Sequence, residues 1–205
     1  MTSSPAHARR SPADKFEDRR RELADAALVT LADLGYARTS LRTIAENTSF
    51  SHGVLHYYFR DKVELITYCV QRYKAACVQR YDGVVSAADT AEGLATACGE
   101  GLAATLREDA LLHRLWYDLR SQALFEPAFR AEVAEIDDAL QAMIWRVVSG
   151  YAELTGRAPT VSPSFAYALF DGVFGQALAR HLDGSDAAVD DLRANARDLL
   201  PRLFT

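Results

Sequence analysis

Apolar residues in this chain recur every three or four positions almost from end to end, and no alternating run or Asn-Gly turn competes with them. A chain patterned this way buries stripes of helix and not faces of sheet, so the fold class is all-α. Its 205 residues, 49% of them apolar, suffice for one large domain or for a small domain joined to a larger one.

Capping signals divide the pattern into about nine helices. Ser11, followed by Pro12 and Asp14, opens a helix whose face is Leu23, Ala27, Thr30, Leu31 and Leu34 and which Gly35 ends. Ser40 and Ser51 each announce a short helix, Leu41 to Asn47 and His52 to Tyr58, with only Thr48, Ser49 and Phe50 between them. Asp61 with Glu64 starts a long fourth helix, about Lys62 to Ser86, striped by Val63, Ile66, Val70, Tyr73, Cys77, Tyr81 and Val84. Asp89 with Glu92 caps a fifth that ends near Leu106, and Leu111 to Phe125 forms a sixth. Pro127 opens the seventh, which Gly156 stops; Ser162 and Pro163 start an eighth that is apolar nearly all round; Ser185 caps a ninth reaching Leu203.

An all-round apolar helix must be covered on two sides. The last two helices therefore read as half of a four-helix dimer interface, with Phe165, Leu169, Gly172, Val173, Leu192, Ala196 and Leu199 at its seam and Asp171-Gly172 and Gly175 at a close crossing there.

Helix, three-residue turn, helix is the geometry that lays a second helix in a DNA major groove, because the short turn locks the pair at a steep angle. Gly53, in the first turn of that second helix, leaves room for the backbone to approach DNA, and Ser51 exposes amide groups suited to phosphate. His52, Val54, His56, Tyr57 and Tyr58 can reach base edges or phosphates, with Arg42 and Lys62 flanking, while Leu55 and Phe59 turn inward. The same residues also suit a short aromatic helix packed in a bundle. Charge leans towards the first reading: residues 1–62 hold 10 Lys and Arg against 8 Asp and Glu, net +2, and the remainder 13 against 20, net −7.

Leu34-Gly35-Tyr36, then Thr39-Ser40-Leu41-Arg42-Thr43-Ile44-Ala45, then Ser51 through Leu65 resemble the DNA-binding region of the TetR family of transcriptional regulators, over roughly residues 19–66. The resemblance implies that residues 1–13 are a flexible arm, 14–61 a helix-turn-helix domain, and 62–205 a ligand-binding and dimerisation domain. It further implies that Ser40 and Arg42 meet phosphates or a base, and that Gly53, Val54 and Tyr57 lie nearest the bases. Ser51, His52, His56, Tyr58 and Lys62 would mainly hold the DNA backbone. His56 stands in place of the usual tyrosine and His52 in place of a common lysine, Thr48-Ser49 replaces Ala-Gly, and Phe50 is bulkier than the usual valine. Protonated imidazoles near phosphate would make operator affinity rise as pH falls. The implied function is a repressor that binds a palindromic operator on double-stranded DNA as a homodimer and is released by a small molecule; an activator, a helical enzyme or an adaptor on the same scaffold are the alternatives.

Beyond its first helices such a family shares little sequence, so the ligand must be argued from residues. Trp116, Tyr117, Met143, Phe170 and Phe174 would line an apolar cavity, with His113 and Arg120 as polar anchors and Arg120 favouring a ligand carboxylate or phosphate. Gln122 and Asp171 are further polar candidates, and Trp145 a further aromatic one. No catalytic set, metal site, cofactor loop or membrane span is expected: the histidines are scattered, no G-x-S-x-G elbow or glycine-rich phosphate loop occurs, and no stretch approaches ~18 uninterrupted apolar residues. Cys69, Cys77 and Cys98 lack zinc or disulfide spacing and read as buried apolar residues of a cytoplasmic protein.

Overall fold

The computed structural model describes residues 11–204. Eight α-helices form: α1 Pro12–Leu34, α2 Leu41–Glu46, α3 His52–Tyr58, α4 Lys62–Ser86, α5 Ala91–Gln122, α6 Arg130–Thr155, α7 Pro163–Leu182 and α8 Ala188–Leu199. Among the described residues there is no strand beyond one isolated bridge between Pro159 and Phe204. The chain divides into two units, one ending at Cys69 and the other beginning at Val70. That division lies two turns along α4 and not at Lys62. Residues 1–10 of the expected arm, with His7, lie outside the described residues, and Pro12 and Ala13 already belong to α1.

The serine caps act where the sequence places them. Ser11 accepts the Asp14 amide while Asp14 reaches back to the Ser11 amide, and Ser40, Ser51 and Ser162 each accept the amide three residues on. Four other termini differ from expectation. Thr90, and not Asp89, caps α5 by accepting from Gly93. Ser185 stands a turn ahead of α8, whose own N-cap, Ala187, makes no side-chain bond. Pro127 builds a single 3-10 turn before α6, and Pro201 converts the end of α8 into another, Leu200–Leu203, since proline supplies no amide.

The eight-helix total reflects one junction. The expected fifth and sixth helices are a single α5 with a kink at Asp109 (φ −123°, ψ 19°). Arg80 of α4 spans the kink, donating to Thr105 Oγ1 at 2.9 Å and to Asp109 Oδ2 at 3.5 Å, so the break is held by a side chain and not by a loop.

In the second unit α5 is the central element, packed by α6, α7 and α8. Its closest neighbour is α8: a Cβ at Gly99 would lie 2.6 Å from the Arg193 carbonyl oxygen. Leu192 and Ala196 are consequently fully buried within the protomer, which corrects their assignment to a dimer seam. Gly175 is likewise occupied internally, since a Cβ there would come 3.2 Å from the Tyr117 hydroxyl. Cys69, Cys77 and Cys98 are free and buried.

Backbone cannot swing aside as a flexible side chain can, so Gly99→Ala must push α8 off α5. The expected loss is about 1–2 kcal/mol, overpacking outweighing the gain in helix propensity. Gly83→Ala, with nothing within 4 Å of the added carbon, should instead gain about 0.5–1 kcal/mol. Urea unfolding at unchanged m-value reads both signs.

Candidate nucleic-acid interface and ligand cavity

Within the first unit, burial of Leu55 and Phe59 decides which face of α3 looks outward. His52, Gly53, His56 and Tyr57 are exposed, Tyr57 by 72%, while Val54 and Tyr58 are half-buried. The His52 and His56 rings meet edge to face at 4.4 Å, and no atom lies nearer than 4.0 Å to a Cβ built on Gly53. Arg42 projects from α2 into solvent, paired with Glu46 at 3.0 Å, beside the Ser40 cap. Of the predicted contact residues, Ser40, Arg42, Ser51, His52, Gly53, His56 and Tyr57 are thus exposed.

What holds α3 was missed from the sequence. Arg20 of α1 lies between the rings of Phe59 and Tyr68, 4.8 and 4.7 Å from their centroids, and pairs with Glu64 at 2.8 Å. The other oxygen of Glu64 accepts the Arg60 amide at 2.9 Å. The expected Asp61 and Glu64 box is therefore half formed: Asp61 accepts the Glu64 amide at 2.9 Å, which holds its carboxyl below the ordinary value, but Glu64 closes one residue earlier. Phe16 stacks on Tyr58 at 4.7 Å, so Tyr58 is partly committed to packing. Lys62 departs further from expectation. Its ammonium donates to the carbonyls of Tyr36 (3.3 Å) and Thr39 (3.2 Å) over the Tyr36 ring, securing the α1–α2 turn in place of a phosphate.

Within the second unit, α4, α5, α6 and α7 line a half-open, mostly apolar cavity of about 60 Å³. His113, Trp116, Tyr117, Met143, Phe170 and Phe174 line it, as do Lys74, Cys77, Tyr167 and Asp171. Trp145 and Gln122 do not, and neither does Arg120. Arg120 pairs with Asp171 at 2.7 Å and Asp137 at 3.2 Å, so it is unavailable as the expected ligand anchor. Each aspartate also accepts a phenol, Asp171 from Tyr117 at 2.9 Å and Asp137 from Tyr167. Asp171 thereby belongs to this wall and not to a dimer crossing.

Lys74 is the polar group that sequence reading overlooked. Its signal was its place on the apolar stripe, four residues after Val70 and three before Cys77. It is 3% exposed, lies 5.4 Å from the Trp116 ring centroid, and has one hydrogen-bond partner, His113 Nδ1 at 3.1 Å. Donation to Nδ1 puts the ring proton on Nε2, which is buried without an acceptor. Burial, then the neighbouring ammonium, holds His113 well below its usual value. Burial pulls Lys74 down to about 8, with Cys77, Asp171 and Asp137 opposing.

A lysine whose folded-state value lies below its unfolded one makes stability rise with pH between the two, since the unfolded chain then holds more protons. Lys74→Met should be more stable than the parent at pH 7 by roughly 3 kcal/mol or less. Its advantage should shrink between pH 8 and pH 10.5. A pH-independent difference in guanidinium unfolding would show that Lys74 carries no buried charge.

Among the described residues no group of three or more His, Cys, Asp or Glu is placed to hold a metal ion, and no helix is long and apolar enough to cross a membrane. Residues 23–69 match the family model described as bacterial regulatory proteins, tetR family. The chain is 42% identical over 50 residues to the HTH-type transcriptional regulator BetI of Paraburkholderia xenovorans, a match covering 24% of this chain and 26% of that relative. It thus spans about a quarter of the relative's length.

Over nearly the whole chain the fold resembles a TetR transcription regulator from Haloarcula marismortui, with TM-score 0.75, 19% identity and coverage of 93% of this chain and all of that one. It also resembles the transcriptional regulator FadR from Bacillus subtilis in complex with stearoyl-CoA, with TM-score 0.71, 15% identity and coverage of 88% and 96%. Residues 23–69 thus carry the helix-turn-helix segment of the tetR family, and the described chain has the helical fold of solved TetR regulators.

Proposed function

We propose that the protein is a cytoplasmic repressor that binds a palindromic operator as a homodimer and is released by a small molecule. The observation that carries this reading is the outward face of α3. His52, Gly53, His56 and Tyr57 lie exposed beside Arg42 while every large apolar residue of the helix is buried or half-buried beneath them. A face so rich in base-reading and phosphate-reading groups suits a major groove.

The dimer falls to α7. Phe165 is 54% exposed, Gly172 is exposed, and Leu169 and Val173 are half-buried, which leaves an apolar face for a second copy. Ligand response is supported by the half-open apolar cavity and by a structural neighbour solved with stearoyl-CoA. Two reading helices must lie about 34–36 Å apart to meet successive grooves, so a ligand that displaces α4 by a few ångströms would break the fit.

Selection from random DNA should enrich an inverted repeat, and failure to enrich any would overturn the proposal. On that site Tyr57→Ala should weaken binding about tenfold or more while hardly altering affinity for random DNA.

A further inference from the structure

We infer that the cavity of the second unit is a receptor for a small organic anion, a carboxylate-type head on a short apolar or aromatic body, with Lys74 as the charge that recognises it. The inference rests on the ligand-released reading above and names the ligand class for that site.

The charged groups in and behind the cavity wall, with the side chains they bond, fall into two sets. Arg120, Asp137, Asp171, Tyr117 and Tyr167 satisfy one another, each carboxylate accepting from a guanidinium and a phenol. No spare carboxylate is left there to attract a cation. Lys74 and His113 form the unsatisfied set. A buried ammonium has three donors and only an uncharged imidazole to receive one of them, while His113 Nε2 has no acceptor. No ion pair to Lys74 forms among the described residues.

Around Lys74 lie Tyr73 and Cys77 on its own helix, His113, Trp116 and Arg120 on α5, Asp137 on α6 and Asp171 on α7. The Arg120 group carries one net negative charge, which Lys74 balances at a distance. A charge held this way is expensive until a counter-ion reaches it. An incoming carboxylate supplies that counter-ion and accepts from the Lys74 ammonium, which has donors left over after the one given to His113.

The remaining wall selects the body of the ligand. Trp116, Phe170, Phe174 and Met143 offer ring faces and one adaptable side chain. The free space, about 60 Å³, fits a head and a few carbons; a longer chain would have to displace side chains. Lys74 lies on α4, three turns along the helix that begins with Lys62, so neutralising it acts on the element expected to move.

The test uses the full chain without DNA and compounds of matched shape: benzoate, benzamide and benzamidine, with hexanoate, hexanamide and hexylamine as the aliphatic set. By calorimetry the acids should bind about tenfold or more tightly than their amides, and the amines no better than the amides. Lys74→Met should erase the difference between acid and amide, and Lys74→Arg should retain part of it. Acids no tighter than amides, a preference for amines, a preference surviving Lys74→Met, or no acid bound at all would each overturn the assignment. Benzoate bound through Lys74 with no operator enriched would remove the regulatory reading alone. An operator released by benzamidine and not by benzoate would remove this assignment alone.

Discussion

A helix of seven residues cannot hold itself together in water, because nucleation consumes more order than its few internal bonds return. What α3 presents to solvent therefore depends on what is fixed beneath and behind it. Leu55 and Phe59 anchor it by burial worth about 1.5–3 kcal/mol each. Arg20 does the rest from α1. Its planar guanidinium stacks against Phe59 and Tyr68 and leaves an edge free for Glu64, a geometry a lysine could not reproduce. Because Glu64 also receives the Arg60 amide, one carboxylate ties α1 to the segment joining α3 and α4. The outward residues can then be polar and unpacked without the helix losing its place.

The second unit solves a different problem: long helices must approach closely and still leave a hole. Small residues permit the approach. Gly99 brings α8 onto α5, and Gly150 lies where a Cβ would meet Val85 at 2.9 Å. With α8 consumed in this way, the buried part of its apolar stripe faces its own protomer, while α7 leaves Phe165 and Leu182 exposed. Behind the wall of that hole Arg120 draws Asp137 and Asp171 together.

The fold class, the serine caps and the inward turn of Leu55 and Phe59 were legible because each depends on local spacing, which a sequence displays directly. The stripe of α8 was also legible, but a stripe shows that a face is buried and not which partner buries it, so Leu192 and Ala196 were misplaced. Asp109 ends a helical pattern in any one-dimensional reading; only Arg80, far away in sequence, makes it a kink. Among polar residues the same limit recurs. Arg20, Lys62 and Lys74 look alike in the chain, and their partners, respectively a carboxylate between two rings, two turn carbonyls and an imidazole, are set by tertiary neighbours at long separation.

Arg120 and Lys74 show how far that difference reaches. Lys74 lines the cavity, and Arg120 stands behind it, bonded to the lining residue Asp171. Arg120 has a bidentate-capable head, two carboxylates and two phenols around them, so its network is complete and its contribution is to shape. Lys74 sits deeper, among Trp116 and Tyr73, with a single neutral partner. If the cavity served only as packing, an apolar residue at position 74 would stabilise the fold at no loss, whereas a retained ammonium has use only when something charged arrives. The stability that Lys74 sacrifices in the empty protein is then the energy by which the occupied one is distinguished from it, and it is stored on α4, the helix that continues from the head.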